Sequence, residues 1–155
     1  MNSKYEISTK ENREFLKASC EELLNFGHRF PSPNGGSYYL GDDGTPWKDR
    51  NRETWITCRM AHVYSLGLML GHEGSGELAD AALKGLKGEL HDEKNGGWYA
   101  GVTPEGDIVP NKQCYAHAFV ILAASSALTA GRPGAKELLE EALAVYDRHF
   151  WNEEE

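Results

Sequence analysis

Two double glycines constrain this chain more than any other feature. Gly35-Gly36 and Gly96-Gly97 begin 61 positions apart. Each opens an aromatic, turn-rich stretch, NGGSYYLGDDGTPWKDRNRE in the first copy and NGGWYAGVTPEGDIVPNKQ in the second, with Tyr39 following one pair and Tyr99 the other. Each stretch runs straight into a segment of helical length, TWITCRMAHVYSLGLML and CYAHAFVILAA, whose apolar residues fall on nearly every side. A helix that is apolar all round has to be enclosed by other elements. A glycine-rich hairpin that feeds such a helix, twice at one spacing, marks a repeat architecture.

The other helical segments differ in character. Residues 8–25 place Phe15, Leu16, Cys20, Leu23 and Leu24 on one face and charges on the other, with Ser8 or Thr9 as N-cap. Residues 77–91 are lined by Leu78, Ala81, Ala82, Leu86 and Leu90 opposite Lys84, Lys87 and Glu89. Residues 134–150 are amphipathic through Leu138, Leu139, Ala142, Leu143, Tyr146 and Phe150. Between them lie the two apolar helices, 53–70 and 112–130, ended by Gly71 and Gly131, the second capped by Asn111. A short strand at 38–40 and a turn at 41–44 complete the first hairpin. Helices one, three and five thus read as an outer layer and helices two and four as an inner one. The expected fold is all-α: antiparallel helix-pair repeats, about five helices, forming part of an α/α toroid with short β-hairpin-like loops at one end. The stretch at 90–94, which precedes the second double glycine, shares its character with residues 150–154. This predicts one domain over 1–155 that is the N-terminal part of a longer toroid, cut at a third hairpin. The alternative is an acidic tail on a complete helical domain.

A chain of 155 residues is one domain's worth and long enough to bury a core. A net charge of −8 without a Lys/Arg cluster argues against nucleic acid and anionic membrane as partners. The apolar runs are too short and too polar to span a bilayer, and MNSKYEISTKENREF lacks the apolar core of a signal peptide. Cys20, Cys58 and Cys114, odd in number and scattered, read as reduced, buried thiols of a cytoplasmic protein. No metal set is visible: His72-Glu73 has no second His four residues on, and Asp42-Asp43-Gly44 lacks calcium-loop spacing. Neither a phosphate loop nor a GxSxG elbow occurs. No metal and no cofactor are expected.

Five residues stand out as site candidates. Arg59 interrupts an apolar helix and needs a partner, either a structural carboxylate or a ligand. Trp55 lies one turn before it on the same face, as core or as the wall of a pocket. The Tyr115 hydroxyl, near the start of the second apolar helix, requires a backbone carbonyl or a ligand hydroxyl. His62 and His117 are each either satisfied core histidines or acid–base groups. Lys112 reads as a loop anchor. If the hairpins share one end of a toroid, Trp55, Arg59 and Tyr115 converge near its mouth, where a small ligand would enter.

RETWITCRMAHVYSLG, then GGWY, then KQCYAHAFVILAASSA resemble the N-acylglucosamine 2-epimerase superfamily, most nearly the branch of aldose–ketose isomerases that act on mannose or sulfoquinovose. The resemblance runs from about Leu24 to Trp151. It implies an (α/α)6 barrel of roughly twice this length or more, of which this chain supplies about five of twelve helices. It also implies proton transfer at C2 of a ring-opened sugar through a cis-enediol, with histidines as general acid and base. By motif, Arg59 matches an inner-helix arginine that holds developing charge on the sugar oxygens, and Tyr115 a residue of the sugar pocket. Trp55 accompanies Arg59. The catalytic histidines of the family lie on later inner helices, and no residue here matches them. The expected function is therefore the N-terminal segment of a sugar isomerase, with a sugar 2-epimerase and a non-catalytic helical-repeat binding module as alternatives. A segment standing alone would expose its inner helices and self-associate through them.

Overall fold

The computed structural model describes residues 5–152. The first four residues and residues 153–155, including the last part of the repeat seen at 150–154, lie outside the described residues. The chain runs α1 (Lys10–Gly27), β1 (Tyr39–Leu40), β2 (Pro46–Trp47), β3 (Arg52–Glu53), α2 (Thr54–Met69), α3 (Ser75–Leu86), β4 (Gly101–Val102), β5 (Ile108–Val109), α4 (Cys114–Thr129) and α5 (Ala135–His149). Helix α2 is the hub: it packs against α1, α3 and α4, and α4 packs in turn against α5. Small residues buried along these helices, among them Ala61, Ala79, Ala82, Ala123, Ala124 and Ala127, let the axes approach closely. Larger groups fill the rest. Phe30 stacks on Tyr64 at 5.4 Å, and Trp98 is sealed beneath the second hairpin with its indole N–H donated to the Leu86 carbonyl at 2.8 Å.

The sixty-residue repeat is written in the backbone. The Tyr38 N–H reaches the Phe30 carbonyl at 2.9 Å, and the Tyr99 N–H reaches Leu90 at 3.0 Å. Tyr38, rather than Tyr39, is therefore the counterpart of Tyr99. The joins from inner to outer helix also match: His72 N–H bonds Gly67 O at 2.9 Å and Arg132 N–H bonds Ala127 O at 2.8 Å. The loops need their glycines for space as well as for dihedral angles. Gly36 and Gly97 sit at φ of 80° and 78°, and a Cβ on Gly85 of α3 would lie 2.5 Å from the Gly36 Cα.

Several expectations require correction. The first hairpin, β1 with β2, is joined by a second sheet that links the repeats: β3 pairs with β4, and β4 with β5, all antiparallel. Residues 52 and 53 are thus strand, and α2 starts at Thr54. Its N–H bonds the Ala100 carbonyl at 3.0 Å and its hydroxyl the Tyr99 carbonyl at 2.6 Å. Helix α3 stops at Leu86, because the chain turns at Gly88 and drops Leu90 into the core. Asn111 does not cap α4. The N-cap is Gln113, since Lys112 is held out of the helix by Asp92 at 2.7 Å and the Gly96 carbonyl at 2.5 Å. In α1, Thr9 is the cap, and Leu16 and Leu23 stay exposed while Leu24 carries the packing. Of the three thiols only Cys58 is buried. Cys20 is half-buried, and Cys114 is exposed because it opens α4 at the unroofed hairpin end.

The inner helices are not enclosed on every side. Arg59, Val63, Leu66 and Leu70 form one exposed stripe along α2, and Tyr115, Ala118 and Leu122 one along α4. Faces that contact outer helices are buried, and the faces turned away from them are open. Among the described residues no helix is long and apolar enough to cross a membrane.

Candidate functional site

The open side of the two inner helices begins, at the hairpin end, with a cluster of rings around one guanidinium. Trp55 and Arg59 lie one turn apart on α2, and Tyr115 and Phe119 one turn apart on α4. The pairs are sixty positions apart, so Trp55 corresponds to Tyr115 and Arg59 to Phe119. The Arg59 Cζ lies 4.8 Å from the centre of the Trp55 ring and 5.1 Å from that of Phe119, both within cation–π range. Its Nη2 donates to the Tyr115 hydroxyl at 3.5 Å. The rings also meet one another: Trp55 and Tyr115 at 6.1 Å, Tyr115 and Phe119 at 4.9 Å. Among the described residues no carboxylate forms an ion pair with Arg59, and its side chain is exposed. Among the described residues, then, a structural salt bridge is not the partner of this arginine. Aromatic faces stack against it and leave N–H groups free to donate.

Glu53 anchors the cluster from behind. Its Oε2 accepts the Trp55 indole N–H at 2.9 Å and also the Tyr39 hydroxyl. Burial, and then the neighbouring Glu53 carboxylate, hold the Tyr39 phenol proton above the ordinary tyrosine range. Arg50 lies 4.3 Å over the Trp47 ring, and together with Tyr39, Asn51 and Glu53 lines a recess of about 310 Å³.

The two histidine candidates are placed very differently. His117 is fully buried. Its Nε2 accepts the Trp98 N–H at 3.1 Å, so Nδ1 carries the proton and donates to the Gln113 carbonyl at 2.8 Å. Both ring nitrogens are spent on the fold, and burial holds the imidazole below its ordinary pKa, which keeps it neutral. His62 is half-buried on α2, with Nδ1 2.7 Å from the Ser126 hydroxyl of α4. The structure joins Trp55, Arg59 and Tyr115 and leaves both histidines out of that cluster. Lys112 is the loop anchor its position suggests, since it clamps Asp92 and Gly96. Its bond, ahead of those from Asn95, keeps the Asp92 carboxyl well below the usual carboxylate range.

Phe119 and Glu53 were not legible as site residues. Phe119 reads as one more apolar residue of an apolar helix, although the sixty-residue period carries Arg59 onto it. Glu53 reads as the first residue of a helix, and only its place in β3 turns its side chain toward Trp55. A recess of about 670 Å³ between Asn34, Lys84, Lys87 and Pro133 lies on the outer side. Its lysines are already spent on the carbonyls of Pro33 and Pro133, at 2.9 and 3.1 Å.

Comparison with known proteins identifies the fold and the family. Residues 35–155 match the family model of N-acylglucosamine 2-epimerase. A D-mannose isomerase of Thermobifida fusca is 41% identical over 144 residues, which cover 92% of this chain and 35% of that protein. A crystal structure of D-mannose isomerase superposes with a TM-score of 0.82 at 24% identity, covering 96% of this chain and 38% of that one. The cellobiose 2-epimerase of Bacillus thermoamylovorans gives 0.77 at 25% identity, covering 92% and 39%. The chain thus spans little more than a third of the length of these proteins, and its five helices form part of their (α/α)6 barrel. With 121 matched residues (35 to 155) carrying both double-glycine hairpins and both inner helices, the chain belongs to the N-acylglucosamine 2-epimerase family.

Proposed function

We propose that this chain is the N-terminal segment of a sugar isomerase that interconverts an aldose and a ketose, with a mannose-like sugar as substrate and Trp55, Arg59 and Tyr115 as its contacts. One observation carries the proposal: the Arg59 guanidinium, with no carboxylate partner among the described residues, is held between Trp55 and Phe119 and presented on the open side of the inner helices. The D-mannose isomerase named above supports the choice of sugar. In such a reaction a proton leaves C2 of the open-chain aldose and returns at C1. The enediol between them places negative charge on the sugar oxygens. A guanidinium fixed beforehand between two rings stabilises that charge without reorganising. Trp55 offers an aromatic edge and face to the C–H groups of the sugar, and the Tyr115 hydroxyl can donate to or accept from a sugar hydroxyl.

The proton carrier is not among these residues. His117 is spent on the fold and His62 faces Ser126. The resemblance to the family supports acid–base histidines on further inner helices of a longer protein. A cytoplasmic location and a small-molecule sugar as partner complete the reading. The test is Arg59→Ala in a longer protein that carries this segment, assayed for conversion of D-mannose to D-fructose. Loss of turnover with unchanged circular dichroism is expected, and near-wild-type turnover overturns the assignment.

A sugar 2-epimerase is the second reading, supported by the cellobiose 2-epimerase likeness. It shares the enediol and differs only in where the proton returns. A ketose product indicates the isomerase, and a product epimeric at C2 the epimerase.

A further inference from the structure

Glu53 is not one of the motif residues, yet the geometry of the candidate site passes through it. Three features of the structure meet at this residue. Its side-chain Oε2 takes the indole N–H of Trp55 at 2.9 Å and the hydroxyl of Tyr39, a residue of the first hairpin. Its backbone pairs with Gly101 of β4, in the second hairpin. Its successor, Thr54, starts α2, the helix that carries both Trp55 and Arg59.

The indole N–H is the one polar handle of a tryptophan. A carboxylate acceptor makes a charge-assisted bond to it, stronger than a neutral one, and that bond selects the rotamer. With the N–H held, the ring cannot turn: Tyr39 meets it nearly edge-on at 6.3 Å and 72°, Tyr115 lies against it at 6.1 Å, and Arg59 lies over its face at 4.8 Å. A negative charge on the indole N–H also pushes electron density into the ring. That deepens the attraction between the ring and the guanidinium above it. Among the described residues no hydrogen bond or ion pair joins Glu53 to Arg59, so its contact with that residue runs through Trp55.

We infer that Glu53 is a positioning residue of this site: its carboxylate fixes the Trp55 indole, and through it the Arg59 guanidinium, in the arrangement that meets the sugar. The inference rests on the sugar-site reading above for its purpose, and on the Glu53–Trp55 geometry for its mechanism. It goes beyond the motif residues, because Glu53 stands where a helix start was expected and its counterpart in the second repeat is Gln113. The second repeat has no such carboxylate, and the Trp55 position is filled there by Tyr115, a residue with no indole N–H to hold.

The experiment uses the 155-residue chain labelled with nitrogen-15. Its four tryptophans each give one indole N–H signal in the proton–nitrogen spectrum, and Trp55→Phe identifies that of Trp55. Glu53→Ala is expected to move the Trp55 signal upfield and to speed its exchange with solvent. The signal of Trp98, bound to Leu86 and buried, should stay in place and report an intact fold. Titration with D-mannose, followed on the same signals, is expected to show about tenfold weaker binding in Glu53→Ala, the loss of one charge-assisted hydrogen bond. Glu53→Gln, which keeps a carbonyl acceptor at the same reach, should fall between. An unmoved Trp55 signal in Glu53→Ala overturns the positioning role. Should that variant fail to fold, an unmoved signal in Glu53→Gln overturns it equally. If the wild-type chain shows no response to mannose, the sugar-site reading fails, while the indole signal still decides whether Glu53 holds Trp55.

Discussion

Thr57 and His117, sixty positions apart, hold the two double-glycine loops in the same way. The Thr57 hydroxyl accepts the Ser37 N–H at 3.0 Å, and the His117 Nε2 accepts the Trp98 N–H at 3.1 Å. Each N–H is the first after a double glycine. Each acceptor comes from the inner helix of the same repeat, so the hairpin is locked to the helix it feeds. A threonine and a histidine share little chemistry, yet both offer an acceptor at the place the loop needs one.

This role of His117 predicts a pH dependence of stability. Burial places its folded pKa below the ordinary 6.5, so between those two values the unfolded chain binds more protons than the folded one. The stabilisation is complete above about pH 6.5 and is lost as pH falls toward the folded value. His117→Gln removes the titrating group. The gap in urea-unfolding free energy between wild type and His117→Gln should therefore shrink as pH falls from about 7 to about 5, by at most about 1.4 kcal/mol per pH unit. A gap that stays constant or widens contradicts this account.

Gly85→Ala tests the contact between α3 and the first loop. The added Cβ would meet the Gly36 N and Cα and the Gly35 carbonyl carbon, which are backbone and cannot turn aside. A loss of about 1–3 kcal/mol in chemical denaturation is expected, the usual cost of overpacking. A neutral effect would show that the loop yields more easily than its close approach implies.

Lys112→Met tests the clamp on the second hairpin. The Asp92 carboxyl is held below its ordinary pKa first by Lys112 and then by Asn95. A carboxylate with a depressed folded pKa adds stability that is present above about pH 3.9 and is lost as pH falls below that toward the folded value. Removing the ammonium brings the two values closer, while Asn95 still holds the folded one down. The acid-induced loss of stability below about pH 4 should be shallower in Lys112→Met than in wild type, read by tryptophan fluorescence. An equally steep loss would place the acid sensitivity elsewhere.

Arg59 should matter little to folding. Its side chain is exposed and pairs with no carboxylate among the described residues, so Arg59→Ala is expected to change stability by no more than about 0.5 kcal/mol. Its effect on turnover in a longer protein should be a loss of about a hundredfold or more, the scale of removing one preorganised donor. Arg59→Lys should not restore it, because an ammonium cannot lie flat between Trp55 and Phe119. Full activity in Arg59→Lys would show that charge alone suffices.

The open stripe along α2 and α4 predicts self-association of the 155-residue chain. Val63, Leu66, Leu70 and Leu122 present aliphatic surface next to one another beyond the aromatic cluster. Apolar groups in that arrangement gain by being removed from water. Light scattering should show mass rising with concentration, and Leu66→Lys with Leu70→Lys should suppress it. A wild-type chain that stays monomeric at high concentration and binds no hydrophobic dye would contradict the prediction.

The sequence by itself determined the helices, their alternation and their family. Apolar spacing separates α1, α3 and α5 from α2 and α4, because a helix needs a polar face only where it meets water. The double glycines announce the loops, because few other residues adopt a positive φ or allow a backbone to approach that of Gly85. Trp55, Arg59 and Tyr115 were legible from motif and from the conflict between a charged group and an apolar helix. Only the tertiary structure decided what those residues touch. The pairing of β3 with β4 turns Glu53 from a helix start into the anchor of Trp55, and no local pattern encodes a pairing between residues 50 and 48 positions apart. The place of His117 against Trp98 settles it as a locked, neutral ring, whereas its sequence surroundings favoured a core role and still left acid–base work open. Periodicity reports which face of an element meets solvent. It does not report which partner the opposite face meets, since that depends on how distant segments pack, and the chemistry of the site depends on it.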